Sequence, residues 1–284
     1  MLPLLCLTSI ASVVTQNCVF NNVCKKELHT GAHIFLFNTL IYGLCMILFG
    51  ISLFWESISV YTILLGLLFG VVTALSNFCK MRALSSGPMH IILLITTSSM
   101  IIPTLSGIFF GEQFSIYKLI IMFVLIGLIY LSLEKNQDSK KMNKGWLVYC
   151  AAAFLFQGSI GVMQKIHQTS SYRGESNGFL FVAFLCSLIY SRIRAKKSFK
   201  EVSFSKKLLC YSLLCGLCTC CMNFLNLRLS GLLPSQLFFP LINGSAIVIS
   251  SLCSVLLFHE TLSKKQQIGL WGGIVCLILI CLVP

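Results

Sequence analysis

Two apolar stretches of this chain, 146 residues apart, carry the same polar stripe, and that repetition constrains the fold more than any other feature. A shift of 146 lays Gly70, Thr73, Asn77, Phe78, Arg82 and Pro88 onto Gly216, Thr219, Asn223, Phe224, Arg228 and Pro234. A shift of 148 lays Glu112 and Ser115 onto Glu260 and Ser263. A membrane span needs about 20 mostly apolar residues. Runs of that kind fall near 2–22, 32–55, 59–79, 88–110, 116–133, 146–166, 178–193, 207–227, 232–258 and 266–283. Five precede the midpoint and five follow it. Because five is odd, the second copy must thread the bilayer in the opposite sense to the first. The expected fold class is therefore an all-α membrane protein of ten transmembrane helices in two inverted five-helix repeats. Residues 1–134 form the first repeat, 135–145 the polar linker and 146–284 the second repeat.

The composition agrees. Of 284 residues, 57% are hydrophobic and 10% charged, whereas a soluble domain carries about 25% charged residues. An ionisable group in hydrocarbon is costly, so the charges collect between the spans. The basic excess, 21 against 8, does not point to nucleic acid, because Lys and Arg stand in short connections where they orient the chain in a membrane. The odd-numbered connections hold 17 of them: Lys25, Lys26, Lys80, Arg82, Lys135, Lys140, Lys141, Lys144, the seven from Arg192 to Lys207, Lys264 and Lys265. The even-numbered ones hold Lys118, Lys165, Arg173 and Arg228. This bias places the odd connections in the cytoplasm and both termini outside, in a multi-pass protein of the cell membrane. Met1 opens into an apolar run without a basic leader, so no cleavable signal peptide is expected.

Polar side chains within spans must face other helices or a wet cavity. In the third span Gly70, Thr73, Asn77 and Lys80 form one helical stripe, which the eighth rewrites as Gly216, Thr219, Asn223 and Asn226. The first span offers Gln16, the second Asn38 and Tyr42 one turn apart, the fourth Thr96 and Thr97, the sixth Gln157 and Gln164, and the ninth Asn243. The fifth and tenth have almost nothing polar in their middles. This distribution predicts a central cavity lined by the first four spans of each half. Its substrate-binding residues would be Gln16, Asn38, Tyr42, Thr96, Thr97, Gln157, Gln164 and Asn243, with Asn77 and Asn223 as walls. The lining is uncharged, which suits a small zwitterionic or neutral metabolite such as an amino acid, nucleoside or sugar. No carboxylate lies in mid-span, so carboxylate-coupled proton exchange is not expected. Lys165 lies near a span end, where snorkelling to the interface is its ordinary role. Glu112 and Glu260 precede Ser115 and Ser263, the expected N-caps of the fifth and tenth spans. Pro103 and Pro240 would kink the fourth and ninth. No metal site or cofactor is expected.

An inverted repeat enclosing a midplane cavity is the architecture of a secondary transporter. Gly111-Glu112 with Ser115, and Glu260-Thr261-Leu262-Ser263 followed by Gln267, Gly269, Gly272 and Gly273, resemble the repeated signature of the drug/metabolite transporter superfamily, EamA-like branch. The resemblance implies a 5+5 inverted fold, alternating access and export or exchange of small metabolites, with Glu112 and Glu260 as structural markers. Two other readings compete. One is a lipid-carrier flippase of the same fold, which would need a lateral opening to membrane lipid. The other is an intramembrane thiol oxidoreductase using Cys215 and Cys218, although scattered cysteines in spans pack well as small hydrophobes. The chain is not expected to be an enzyme.

Overall fold

The computed structural model describes residues 2–26, 28, 31–55, 58–86, 89–113, 115–131, 144–195, 206–258 and 264–283. Among them the regular structure is entirely helical: α1 (Leu2–Lys26), α2 (Gly31–Ile51), α3 (Val60–Ser86), α4 (Met89–Ser98), α5 (Ile101–Ser106), α6 (Ile116–Leu131), α7 (Lys144–Thr169), α8 (Ser176–Ala195), α9 (Lys206–Leu232), α10 (Ser235–Phe258) and α11 (Lys264–Leu282), with short 3₁₀ turns at Ser52–Trp55 and Gly107–Phe110. Six helices, α1, α2, α3, α7, α8 and α9, are long and apolar enough to cross a membrane. The molecule is a multi-pass membrane protein. The expected linker 135–145 falls mostly outside the described residues, as do Glu260 and Ser263.

The fourth apolar run is not one helix. It breaks at Ser99–Met100 into α4 and α5, and the cause lies four residues on. Pro103 has no N–H to return to the Ser99 carbonyl, so the ladder opens there. The loose turn is closed locally by Ser99 Oγ donating to the Thr96 carbonyl and by the Ile102 N–H donating to the Ser99 carbonyl at 3.1 Å. Pro240, by contrast, is accommodated inside the continuous α10. The seventh run extends further than its apolar core suggests, as α8 starts at Ser176.

The two halves of the chain interleave. α1 packs on α9 and α10, α2 on α8 and α9, α3 on α7 and α8, α5 on α7 and α10, and α6 on α11. The glycines of the repeated stripe set two of these contacts. A Cβ on Gly70 would strike the Ala183 carbonyl oxygen and the Cys186 Cβ on α8. One on Gly216 would meet Leu44 on α2. Each glycine carbonyl then accepts a bond from the helix it touches, Ser187 Oγ to Gly70 O at 2.7 Å and Cys45 Sγ to Gly216 O at 3.5 Å. Removing the Cβ brings the backbones close enough for those bonds, the usual gain from small residues between membrane helices.

Candidate functional site

Between α3, the α4–α5 break, α5, α7, α9 and α10 lies a cavity of about 70 Å³. Its polar lining is Thr73, Asn77, Ser99, Gln157, Gln164, Thr219, Asn223, Asn226 and Asn243, and Met100, Pro103, Met222, Phe238 and Phe239 are among its apolar walls. No ionised side chain is in the lining. Small residues admit the packing around it. Gly161 turns its bare face to Phe239 and Pro103, where a Cβ would come within 2.8 and 2.9 Å.

Of the residues singled out from the sequence, Gln157, Gln164, Asn243, Asn77 and Asn223 line this cavity. Two more stand one layer behind it. Gln16 is buried on α1 and its Nε2 donates to Thr219 Oγ1 at 2.6 Å. Tyr42 is buried on α2, and its hydroxyl accepts from Asn77 Nδ2 at 2.8 Å. The remaining three are placed elsewhere. Thr96 donates to its own helix at the Ile92 carbonyl, and Thr97 accepts the Met100 N–H at the α4–α5 break. Asn38 is 0% exposed with neither end of its amide hydrogen-bonded. The proline break explains the displacement of the threonines, since it turns Ser99 and Met100 toward the cavity in place of the residues before them.

The hydrogen bonds show how the lining is held. Asn223 and Asn243 each spend an N–H on the carbonyl four residues back, Thr219 at 2.9 Å and Phe239 at 3.0 Å. A carbonyl can only accept, so this contact fixes which end of each amide is used. Ser76 Oγ donates to Gln157 Oε1 at 3.2 Å, and Ser9 Oγ to Asn226 Oδ1 at 2.5 Å. Thr73 differs. The residue is 5% exposed and among those lining the cavity, and its buried hydroxyl has no partner. A buried polar group left unmatched costs about 1–3 kcal/mol.

Lys165 and Glu112 depart most from expectation. Lys165 does not snorkel: its side chain is 6% exposed and ion-paired with Glu112, itself 15% exposed. Its ammonium also donates to the carbonyls of Ser230 at 2.8 Å and Leu233 at 3.3 Å. Glu112 in turn caps α10 rather than the helix that follows it, accepting the Ser235 N–H at 2.6 Å and the Ser235 hydroxyl at 3.2 Å. Gly111 makes this possible. Its φ of 71° lies in the left-handed region that glycine enters without penalty and turns Glu112 back across the bundle. Gly107 clears the way, because a Cβ there would lie 2.5 Å from the Glu112 carboxylate. Ser115, the expected cap, has its backbone N–H and carbonyl matched by the amide of Gln236 at 2.9 and 3.3 Å. A second glutamate, Glu175, was not singled out from the sequence. It accepts the Ser59 N–H at 2.9 Å and the Ser59 hydroxyl at 2.8 Å. Desolvation opposes its ionisation, but the hydrogen bonds from Thr62 and Ser59 with the nearby His167 outweigh it and hold the carboxyl below its usual range.

Comparison with known proteins adds the fold alone. No family model matches the chain, and no curated protein does. A solved structure described only as a crystal structure of a protein superposes with a TM-score of 0.69 at 14% identity, covering 99% of this chain and 96% of that one. The fold therefore extends over the full length of both chains.

Proposed function

We propose that this protein is a secondary transporter of the drug/metabolite transporter type, EamA-like, which moves a small polar metabolite across the cell membrane by alternating access. The observation that carries this reading is the cavity, lined by uncharged amides and hydroxyls and enclosed by helices from both halves of the chain. A pocket lined by neutral hydrogen-bonding groups fits a zwitterionic or neutral solute better than a strongly charged one. The pairing of helices supports a 5+5 inverted repeat of ten spans. Exchanging the halves turns the α1–α9 contact into α7–α3, α2–α9 into α8–α3, and α1–α10 into α7 with α4 and α5, while α2–α8 and α6–α11 map onto themselves. At about 70 Å³ the cavity holds a few waters rather than a metabolite. Loading therefore requires its walls to part, as rocking of one half against the other would do.

Uptake into proteoliposomes tests the reading, with a panel of radiolabelled amino acids, nucleosides and sugars. The variant carrying both Gln157→Ala and Asn243→Ala should lose the transport that the parent protein shows, while eluting as the same folded species. Transport at the parent rate by that double variant would refute the site.

A further inference from the structure

The face of the molecule formed by the even-numbered connections is tied by two glutamates that each cross to the other half of the chain. Glu112 comes from the first half and caps α10 of the second, through the Ser235 N–H. Glu175 comes from the second half and caps α3 of the first, through the Ser59 N–H and hydroxyl. The second contact completes a capping arrangement in trans. Ser59 is the N-cap of α3, its hydroxyl meeting the Thr62 N–H at 3.2 Å. The reciprocal acceptor for the Ser59 N–H, which a helix usually supplies from its own third residue, comes here from α8's side of the interface. A carboxylate at a helix N-terminus satisfies free N–H groups and complements the dipole, so each glutamate is a strong, breakable tie between halves.

The two ties meet in the last turn of α7. Lys165 pairs with Glu112 and donates to the Ser230 carbonyl in the last turn of α9 and to the Leu233 carbonyl just beyond it. Three residues on, Gln168 packs on Gly231 of α9 and donates to Ser176 Oγ, the residue beside Glu175. His167, between them, is stacked on Phe179 of α8 at 4.5 Å and lies within electrostatic reach of Glu175. The same elements form the cavity. Gln164 precedes Lys165, and Phe238 and Phe239 stand one turn into the helix that Glu112 caps.

We infer that the Glu112–Lys165–Ser235 and Glu175–Ser59 ties are one two-part latch that closes the cavity on this face, and that they open together. The inference rests on the alternating-access reading for its purpose, but the coupling between the ties can be measured with no solute present. Both halves must separate on this face for the walls to part, and neither tie can remain made while they do. A pair of ordinary helix caps would instead open independently.

Hydrogen exchange followed by mass spectrometry on the purified full chain distinguishes these. In Glu112→Gln the amides of 235–238 should exchange about tenfold faster, the scale of a lost charge-assisted bond. The amides of 58–62 should accelerate with them, although Glu175 is untouched. Glu175→Gln should produce the converse, acceleration at 235–238. Peptides from 123–131 and 264–272, at the end of the α6–α11 pair opposite the latch, should keep the parent rates. Acceleration confined to the altered cap, or spread evenly into the α6–α11 pair, would overturn the inference. Ser59→Ala, which keeps the backbone contact and removes only the hydroxyl, is the milder variant should Glu112→Gln fail to fold. It should accelerate 235–238 by a smaller factor, and no change there would equally overturn the latch.

Discussion

The repeated stripe appears once on α3 and once on α9, and the two copies have kept their packing while parting in their hydrogen bonds. Gly70 and Gly216 do the same thing, each admitting a neighbouring helix of the other half. The polar residues do not. Asn77 reaches across to Tyr42 on α2, whereas Asn223 folds back on the Thr219 carbonyl of its own helix. Thr219 accepts from Gln16 and donates to the Cys215 carbonyl at 2.6 Å, whereas Thr73 has no partner. At the end of the stripe Lys80 donates to Asn17, and its counterpart Asn226 accepts from Ser9. A glycine contact is dictated by backbone approach and survives as long as the helices pair. A polar bond depends on one neighbouring side chain and drifts when that neighbour changes. The two sides of the cavity are therefore unequal in how their polar groups are held.

The comparison is tested hardest at the glycines. In Gly70→Ala the new methyl meets a backbone carbonyl, which cannot move without α8 moving. In Gly216→Ala it meets the Cδ2 of Leu44 at 2.8 Å, the far end of a flexible side chain. Gly70→Ala should cost about 2–3 kcal/mol and lower the thermal midpoint in detergent clearly. Gly216→Ala should cost less than about 1 kcal/mol. Equal losses would mean that the two contacts do not differ in the way described.

Threonine to valine removes the hydroxyl and keeps the shape. Thr219→Val leaves the buried amide of Gln16 without its acceptor, so it should destabilise by about 1–2 kcal/mol. The double variant with Gln16→Leu should recover part of that loss, because both partners are then apolar. A double variant as unstable as the sum of the singles would show that the bond carries nothing.

The asparagines come next in size. Asn77→Leu breaks a bond between helices, and such bonds in membrane proteins average about 0.6 kcal/mol. Asn223→Leu breaks only a bond within α9, so its midpoint should shift less than that of Asn77→Leu. The reverse ranking would indicate that Asn223 holds the bundle through a contact other than Thr219.

How much of this was legible in advance follows from the same distinction. Hydrophobic run length and the 146-residue repeat mark the helices, because both depend on the residues themselves. The stripe gives the face of α3 and α9 that turns to the cavity, and the spacing of Gln157, Gly161 and Gln164 does so for α7. The break at Ser99 was written in Pro103, whose lost bond falls four residues earlier, yet the sequence does not say that the turn would present Ser99 and Met100 instead of Thr96 and Thr97. Partners across the bundle were not legible at all. Nothing near Glu112 in the chain announces Ser235 or Lys165, and a lysine near a span end reads as snorkelling until the helix beside it is known. Asn38 is the reverse case. It looked like a cavity residue by its spacing from Tyr42, and it is buried between helices with both ends of its amide unbonded.

Thr73→Val is the smallest change and the one that sharpens the comparison most. Its hydroxyl makes no hydrogen bond, so nothing in the fold is lost with it, and the thermal midpoint should stay within experimental error or rise slightly. If the group waits for a solute, the cost appears only when one is bound. The parent protein should then gain thermal stability with whichever solute of the transport panel it moves, by mass action on the bound state. Thr73→Val should gain measurably less at the same concentration, while Thr219→Val, whose lost bond belongs to the wall, should start lower yet gain as much as the parent. Identical gains in all three would mean that Thr73 is merely an unsatisfied position in α3, and that the inequality of the two stripes has no bearing on what the cavity holds.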